Sequence, residues 1–180
     1  MTDPRRPTVV RLKDGSELQV RPIRAEDEVL LQDAFARMSE RSVYFRFFSP
    51  LKRLPESMAH RLSHVDYRDR FALVATSLGG GPEQPEQIMG VARYDRAPGT
   101  DVAEVAVAVV DEMQRRGLGA GLLTLLAQVG RESGIATFTL IVLPENQSMF
   151  KLLKSMGWVH SSEFRHGVYE ITFPLDPDAA

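Results

Sequence analysis

The chain has 180 residues, of which 43% are hydrophobic and 26% charged, a composition that supports a buried core and excludes a disordered polypeptide. Its net charge of -2 and its pI of about 6.1 exclude a global positive field that would hold nucleic acid or an anionic membrane. The absence of cysteine excludes disulfides, thiolate metal sites and cysteine nucleophiles.

The first half of the chain alternates predicted strands and helices. Two β-favouring runs between residues 8 and 23 flank Lys13-Asp-Gly-Ser16, which predicts a β-hairpin. Apolar residues at helical spacing predict an amphipathic helix over 26–38, and a shorter helix is expected over 55–62. Apolar runs at 71–77 and 87–94 predict a second hairpin around a Gly/Pro/Gln-rich loop.

The second half is organised as two β-α units followed by a pair of strands. A strand is expected over 101–110, and a helix follows whose apolar stripe consists of Leu118, Leu122, Leu125, Leu126 and Val129. The compact run at 137–143 predicts a buried strand, and Asn146 begins a helix that Gly157 is placed to end. Two weaker strands are expected within 159–173.

These elements predict a single mixed α/β domain over residues 8–175, with a central sheet of about six or seven strands flanked by helices. We expect flexible termini at 1–7 and 176–180. The N-terminus lacks the apolar region of a secretory signal, and no apolar run is long enough to span a bilayer. We therefore expect a cytoplasmic protein with neither a membrane nor a nucleic-acid partner, and the oligomeric state stays open.

A glycine-rich turn joins the strand at 101–110 to the helix that follows. Gly117, Gly119 and Gly121 lie at the start of that helix, directly after Arg115 and Arg116. Close packing of the helix on the sheet would also favour small residues. The two arginines favour a phosphate ligand instead, because a helix N-terminus disfavours cations unless an anion is bound there.

The turn resembles the pyrophosphate loop of the GCN5-related N-acetyltransferase (GNAT) family. Gln114-Arg-Arg-Gly-Leu-Gly119 matches the pattern Gln/Arg-x-x-Gly-x-Gly/Ala at each position, whereas the ATP-type and NAD-type glycine loops are absent. The resemblance continues to Gly157-Trp158 and covers about residues 21–173. Ala103-Glu-Val-Ala and Ser39-Glu-Arg-Ser-Val-Tyr-Phe-Arg-Phe-Phe48 are similar to the catalytic domain of bacterial protein lysine acetyltransferases.

The resemblance implies that acetyl-CoA binds where the family's fourth and fifth strands splay apart. The pantetheine is expected along Val107, Ala108, Val109 and Val110. The residues implied for the pyrophosphate are Gln114, Arg115, Arg116, Gly117, Leu118, Gly119, Ala120 and Gly121. Asn146 looks like the family residue that faces the cofactor, although an N-cap role alone would also explain an asparagine there.

Glu104 is the candidate catalytic residue. Strand alternation places it on one face with Val102, Ala106, Ala108 and Val110, where a carboxylate needs an exposed strand end, a cationic partner or a function. In the resembling lysine acetyltransferases the glutamate at this position is the general base that deprotonates the attacking amine. Many family members that act on small molecules have a tyrosine acid where this chain has Leu153, so we expect direct transfer without that acid.

Three further groups of residues received a structural interpretation. The aromatic cluster Tyr44, Phe45, Phe47 and Phe48 is predicted to belong to the core rather than to a substrate lid. His60 and His64 are spaced i, i+4, but without an H-E-x-x-H pattern or a nearby carboxylate cluster we expect no metal. Lys151 and Lys154 are predicted to form a solvated face rather than a site for the adenosine 3′-phosphate.

The sequence thus predicts an N-acetyltransferase that moves acetyl from acetyl-CoA to a primary amine in a ternary complex. A protein lysine side chain is the favoured acceptor. Two alternatives stay open at this point: a small-molecule amine acetyltransferase, and an acyl-CoA-binding sensor without turnover.

Overall fold

The computed structural model describes residues 3–79, 83, 85–159 and 161–176. The strands are β1 (Thr8–Arg11), β2 (Glu17–Pro22), β3 (Arg70–Thr76), β4 (Ile88–Arg96), β5 (Val102–Val109), β6 (Thr137–Val142), β7 (Ser161–Arg165) and β8 (Val168–Pro174). The helices are α1 (Glu28–Ala36), α2 (Glu40–Phe47), α3 (Glu56–Ser63), α4 (Leu118–Glu132) and α5 (Gln147–Ser155). Short 3-10 turns precede α1 and follow β5.

The strands form one mixed sheet in the order β1-β2-β3-β4-β5-β6-β8-β7. Each neighbouring pair is antiparallel except β5 and β6, which run parallel because α4 carries the chain back between them. The predicted mixed α/β fold is confirmed. Among the residues that the structure describes, the sheet has eight strands rather than six or seven, because the N-terminal hairpin and both strands of the final pair all join it.

Helices cover the two faces of the sheet, as the alternation along β4 shows. A Cβ added to Gly90 would lie 3.1 Å from Leu122, so α4 packs closely on that face. Val91 and Arg93, which alternate with Gly90, line a pocket on the other face together with residues of α1, α2 and α3. The long helix α4 therefore supports β5 from one side, and the short helices close over its other side.

The predicted placement of the aromatic cluster in the core is wrong for Tyr44 and Phe48 and is confirmed for Phe47, which packs against the core. The residues of the cluster form helix α2 and the residue after it, and Tyr44 and Phe48 are each 42% exposed. Phe45 and Phe47 are half-buried, while Val43 is buried within α2. The physical reason is that α2 is short and packs over β5 through one stripe only, so its other aromatic side chains stay at the surface.

Parts of two predictions lie outside the described residues. These are positions 80–82 and 84 of the Gly/Pro/Gln-rich loop, and positions 1, 2 and 177–180 of the termini. At the N-terminus Arg5 forms an ion pair of 3.1 Å with Glu132 at the end of α4.

Within the described part of the chain, no helix combines the length and apolar character that a membrane span requires. The cytoplasmic location stays a prediction.

A buried ion pair joins the sheet to α1. Arg21 of β2 is 1% exposed, and its guanidinium donates two hydrogen bonds of 2.8 Å to Asp27, which is 3% exposed. Glu86 accepts a third bond of 3.1 Å from Arg21. Burial alone would lower the pKa of Arg21, but the bonds to Asp27 and Glu86 raise it above its usual value. Arg21 therefore stays charged inside the fold and depends on these carboxylates.

Replacing Asp27 with asparagine should lower the free energy of unfolding by about 3 kcal/mol, because a buried guanidinium loses its main counter-charge. Urea denaturation followed by circular dichroism measures this change. The matched control is Glu163→Gln, since Glu163 and Arg165 form an ion pair of 2.6 Å whose side chains are 61% and 66% exposed. That control should change stability by less than about 0.5 kcal/mol; equal losses in both variants would contradict the assignment.

Candidate active site

The site is built on a gap between β5 and β6. The two strands pair only through Val102 with Thr137, Ala103 with Phe138 and Glu104 with Thr139. Beyond Glu104, β5 continues along β4 while β6 continues along β8. The predicted splay is therefore confirmed, and it leaves the main chain of β5 beyond Glu104 without a strand on the β6 side.

The main-chain groups that face this gap follow from the pairing of β5 with β4. The N–H of Val110 donates to the carbonyl of Met89 in β4 at 3.0 Å. Because antiparallel pairing alternates, Ala108 also directs its main-chain groups to β4, while Val107 and Val109 direct theirs into the gap. The carbonyl of Val109 accepts a bond of 3.1 Å from Gln114 Nε2. Val107 thus has main-chain groups that an extended ligand could pair with.

The turn before α4 presents a run of unpaired backbone amides. The N–H of Gln114 donates to Asp111 at 3.2 Å, and the N–H of Gly121 donates to Gly117 at 3.0 Å. Between them, no group in the described part of the chain accepts a hydrogen bond from the amides of residues 115–120. The first turn of α4 contains no acidic residue. These donors and the helix dipole together favour an anion.

Different physical causes explain why glycine occupies the three positions of the turn. Gly117 has a φ of 91°, and an added Cβ would lie 3.3 Å from the side chain of Lys13, so its conformation requires glycine. Arg115 also has a positive φ, of 62°, and such alternating backbone forms an anion-binding concavity. A Cβ added to Gly119 would lie 3.4 Å from the side chain of Leu152, which is an ordinary contact. A Cβ added to Gly121 would have no neighbour within 4 Å. Tight packing therefore does not explain all three glycines.

The tip of the β1–β2 hairpin docks on this turn. The N–H of Lys13 donates to the carbonyl of Arg116 at 3.1 Å, and Asp14 forms an ion pair of 2.9 Å with the Arg116 side chain. Hydrogen bonds from Ser16 hold the pKa of the Asp14 carboxyl below its usual value. A cleft of about 180 Å³ lies between the hairpin and the start of α4, with Arg11, Lys13 and Arg116 along it. The sequence analysis did not identify these hairpin residues as part of the site.

Asn146 fills the N-cap role and keeps a free donor. Its Oδ1 accepts bonds from the N–H of Met149 at 3.2 Å and from Ser148 Oγ at 2.8 Å. Its Nδ2 donates to no group among the residues that the structure describes. One side chain can therefore cap α5 and still offer a hydrogen bond to a ligand.

Leu153, about two turns further along α5, is fully buried.

Glu104 is exposed, while its neighbours Ala103 and Val105 are buried. It lies opposite Asp95 of β4, at the point where β5 and β6 separate. No described lysine or arginine forms an ion pair with it. Because its side chain is exposed near the start of β5, Glu104 needs no cationic partner to be tolerated there. The same exposure makes the carboxylate accessible to an incoming amine.

Arg46 of α2 is the cation whose charge interacts with Glu104. Burial, followed by repulsion from Arg93, lowers the pKa of Arg46 to about 10, while Asp95 and Glu104 act in the opposite direction. The guanidinium lies 4.9 Å from the ring centre of Phe47, and none of the described groups accepts a hydrogen bond from it. Together with Arg93 it lines a pocket of about 60 Å³ beside β5 whose other lining residues are apolar. Arg46 stays protonated at neutral pH.

Polar contacts tie α2 to the segment that precedes α4. Asp111 accepts hydrogen bonds from the N–H and the hydroxyl of Ser39, at 3.0 and 2.7 Å. Partial burial would raise the pKa of Asp111, but these bonds hold it below its usual value. Gln114 Nε2 also donates to Ser42 Oγ at 3.1 Å. The helix above Glu104 and the amide-rich turn are thus positioned by the same short segment.

The remaining candidates lie away from this centre. Lys151 and Lys154 are exposed on α5. His60 and His64 of α3 lie beside Glu28 at the start of α1, with His60 Nδ1 2.8 Å from Glu28 Oε1. A carboxylate therefore does reach the histidine pair, and the sequence analysis missed it because Glu28 is distant in sequence.

Comparisons with known proteins identify the family. The family model described as acetyltransferase (GNAT) family matches residues 40–158. The acetyltransferase PA5475 of Pseudomonas aeruginosa is 28% identical over 151 residues, which cover 84% of this chain and 80% of that protein. The acetyltransferase Pat of Mycolicibacterium smegmatis is 30% identical over 156 residues, and the match covers 85% of this chain but only 45% of Pat.

A solved structure gives the same result at the level of the fold. The crystal structure of the GNAT domain of S. lividans PAT superposes with a TM-score of 0.84 at 35% sequence identity, covering 93% of this chain and 96% of that chain. The family match extends over more than half of the chain and includes the amide-rich turn, Glu104 and Asn146. The chain therefore belongs to the acetyltransferase (GNAT) family and is an acetyl-CoA-dependent N-acetyltransferase.

Proposed function

We propose that this protein acetylates lysine side chains of proteins by direct transfer from acetyl-CoA, with Glu104 as the general base. The observation that carries the proposal is the position of an exposed carboxylate at the point where β5 leaves β6. The donor site begins on the same strand and ends at the unpaired amides of the turn. Donor and base thus belong to one continuous surface.

The donor half of the site combines two kinds of main-chain contact. The gap-facing groups of Val107 offer pairing to an extended pantetheine, as an additional strand would. The unpaired amides of residues 115–120 suit the diphosphate, and Lys13 with Arg115 adds positive charge nearby. Asn146 contributes its free Nδ2 donor on the other side of the gap. These contacts fix the thioester with little dependence on side chains.

On the acceptor side, the mechanism first requires that the attacking amine lose a proton. A lysine amine has an unperturbed pKa of about 10.4, so at neutral pH it must lose a proton before its nitrogen can attack the thioester carbon. Glu104 accepts that proton, directly or through water. The carbon–nitrogen bond then forms, the carbon–sulfur bond breaks, the coenzyme leaves as a thiolate, and the second proton of the nitrogen passes to the thiolate or to solvent.

Departure of the thiolate has no assistance from the position where many family members carry a tyrosine. Leu153 occupies it and is fully buried. A free thiol has a pKa of about 8.5, so a thiolate is a tolerable leaving group at neutral pH. Oriented main-chain donors along β5 can stabilise the negative charge that develops on the carbonyl oxygen.

The surroundings of Glu104 favour a protein acceptor over a small polyamine. A strongly acidic cleft would be expected for a polycation, but Arg46 interacts with Glu104 and has Arg93 close to it. Asp95 is already paired with Arg70 at 2.9 Å. Glu104 is itself exposed. The adjacent helix α2 presents exposed aromatic side chains, which suit a protein surface better than a small polar molecule.

Replacing Glu104 with glutamine should lower turnover by about 10²-fold, the usual effect of losing a general base. Affinity for acetyl-CoA should stay within a few-fold of the parent value, because the base does not contact the donor's phosphates. Steady-state kinetics and calorimetry measure the two quantities. Glu163→Gln, which removes an exposed carboxylate from edge strand β7, should leave turnover unchanged. Parent-level turnover in Glu104→Gln would remove this residue from the mechanism.

Ala120→Glu should have opposite effects on stability and on donor binding. A carboxylate in the first turn of α4 should stabilise the free protein by about 0.5 kcal/mol through the helix dipole. It should also raise the Kd for acetyl-CoA at least about tenfold, through repulsion of the diphosphate. The neutral variant Ala120→Gln is the matched control, and thermal unfolding with calorimetry supplies both readouts. Equal affinities in the two variants would show that the diphosphate lies elsewhere.

The acceptor class can be identified directly. We expect that a cell lysate incubated with the enzyme and labelled acetyl-CoA gains label on lysine residues of proteins, read by mass spectrometry, and that Glu104→Gln reduces this gain. Label confined to small amines would favour a small-molecule acetyltransferase. Donor binding without any acetylated product would favour a sensor.

A further inference from the structure

Three metal-ligating side chains meet on the surface where α1 begins and α3 ends. Glu28 is the first residue of α1, His60 lies in the last turn of α3, and His64 caps that helix. One ligand atom from each side chain lies within 4.8 Å of the other two. Glu28 Oε1 is 2.8 Å from His60 Nδ1 and 3.4 Å from His64 Nδ1. The three groups are therefore close enough to share one ion.

We infer that Glu28, His60 and His64 form a binding site for a divalent transition-metal ion of the zinc type. Two imidazoles and one carboxylate supply nitrogen and oxygen donors, which such ions prefer at about 2.0–2.2 Å. Three protein ligands leave a further position for water. The side chains of Glu28, His60 and His64 are 33%, 61% and 42% exposed, so an ion can enter from solvent.

The two histidines are arranged as a pair that chelates from one side of α3. Their ring centres are 3.7 Å apart with an angle of 29° between the planes. Each Nδ1 lies beside an acceptor: the carbonyl oxygen of His60 is 3.0 Å from His64 Nδ1, and Glu28 Oε1 is 2.8 Å from His60 Nδ1. An ion bound at these nitrogens requires the neutral imidazole with its hydrogen on Nε2, so zinc binding competes with protons.

The ligands come from both helices, so a bound ion would link α1 to α3. Contacts between these helices already exist, and both contribute side chains to the pocket that Arg46 lines. The ion would lie on the outer surface of the two helices and has no step in acetyl transfer. Its expected effect is a gain in thermal stability, since an ion that binds only the folded chain shifts the unfolding equilibrium.

The test uses the full chain, stripped with a chelator and titrated with zinc chloride in a calorimeter and in thermal unfolding. We expect one ion per chain and a zinc-dependent rise in Tm. His60→Gln, His64→Asn and Glu28→Gln should each weaken zinc binding at least about tenfold, since even the loss of an outer partner of a ligand costs that much. Each variant should keep the parent Tm in chelator to within a few degrees, which separates loss of the site from loss of the fold.

His166→Asn is the matched control, because it removes a histidine from the turn between β7 and β8. His166 has a φ of 50°, and asparagine tolerates that conformation. This variant should bind zinc as the parent does. Absence of saturable zinc binding to the parent would overturn the inference. So would parent-level affinity in His60→Gln and His64→Asn together, and unchanged affinity in Glu28→Gln would remove the carboxylate from the site.

Discussion

The separation of β5 from β6 after Glu104 is the constraint on which the rest of the structure depends. A strand inside a sheet normally satisfies its main chain on both sides, and here the side toward β6 is left open beyond three paired positions. Such an edge would be costly if it were buried without a partner, and it would invite pairing with any extended chain. The fold leaves it facing a gap, and we propose that the extended arm of the coenzyme pairs with it there.

The open edge leads directly to a second unsatisfied region, the amides of residues 115–120. Both regions need a rigid support, because mobile donors would have to be ordered when a ligand binds. The Lys13–Arg116 contact holds the turn from the hairpin side, and the Asp111–Ser39 contacts hold it from α2. Because the turn is already held in place, ligand binding loses little free energy in ordering it, so the site is preorganised.

Local sequence patterns predicted most of the strands and helices and the glycine-rich turn, because each is encoded within a few consecutive residues, whereas the role of Glu104 came from the family resemblance and stays a prediction. The hairpin turn at Lys13-Asp-Gly-Ser16, the leucine stripe of α4 and the glycine spacing from Gln114 to Gly119 are of this kind. The sequence did not predict contacts between distant residues. Asp14 with Arg116, and Glu28 with the histidine pair, arise only when the sheet brings separate segments together. Part of the aromatic cluster was misplaced for the same reason, since burial on α2 depends on where that short helix lies.

In the proposed mechanism, the charge at Arg46 bears on which acceptor the enzyme prefers. A guanidinium whose pKa is lowered to about 10 by burial, and which no described group bonds, lacks part of the solvation that it would have in water. Glu104 partly compensates for this loss through its negative charge. An incoming ammonium must therefore share that carboxylate with an existing cation, and a polycation would meet repulsion from Arg93 as well. A single lysine on a protein surface brings one charge, which in the proposed mechanism it loses to Glu104, and we therefore propose it as the acceptor that this balance disfavours least.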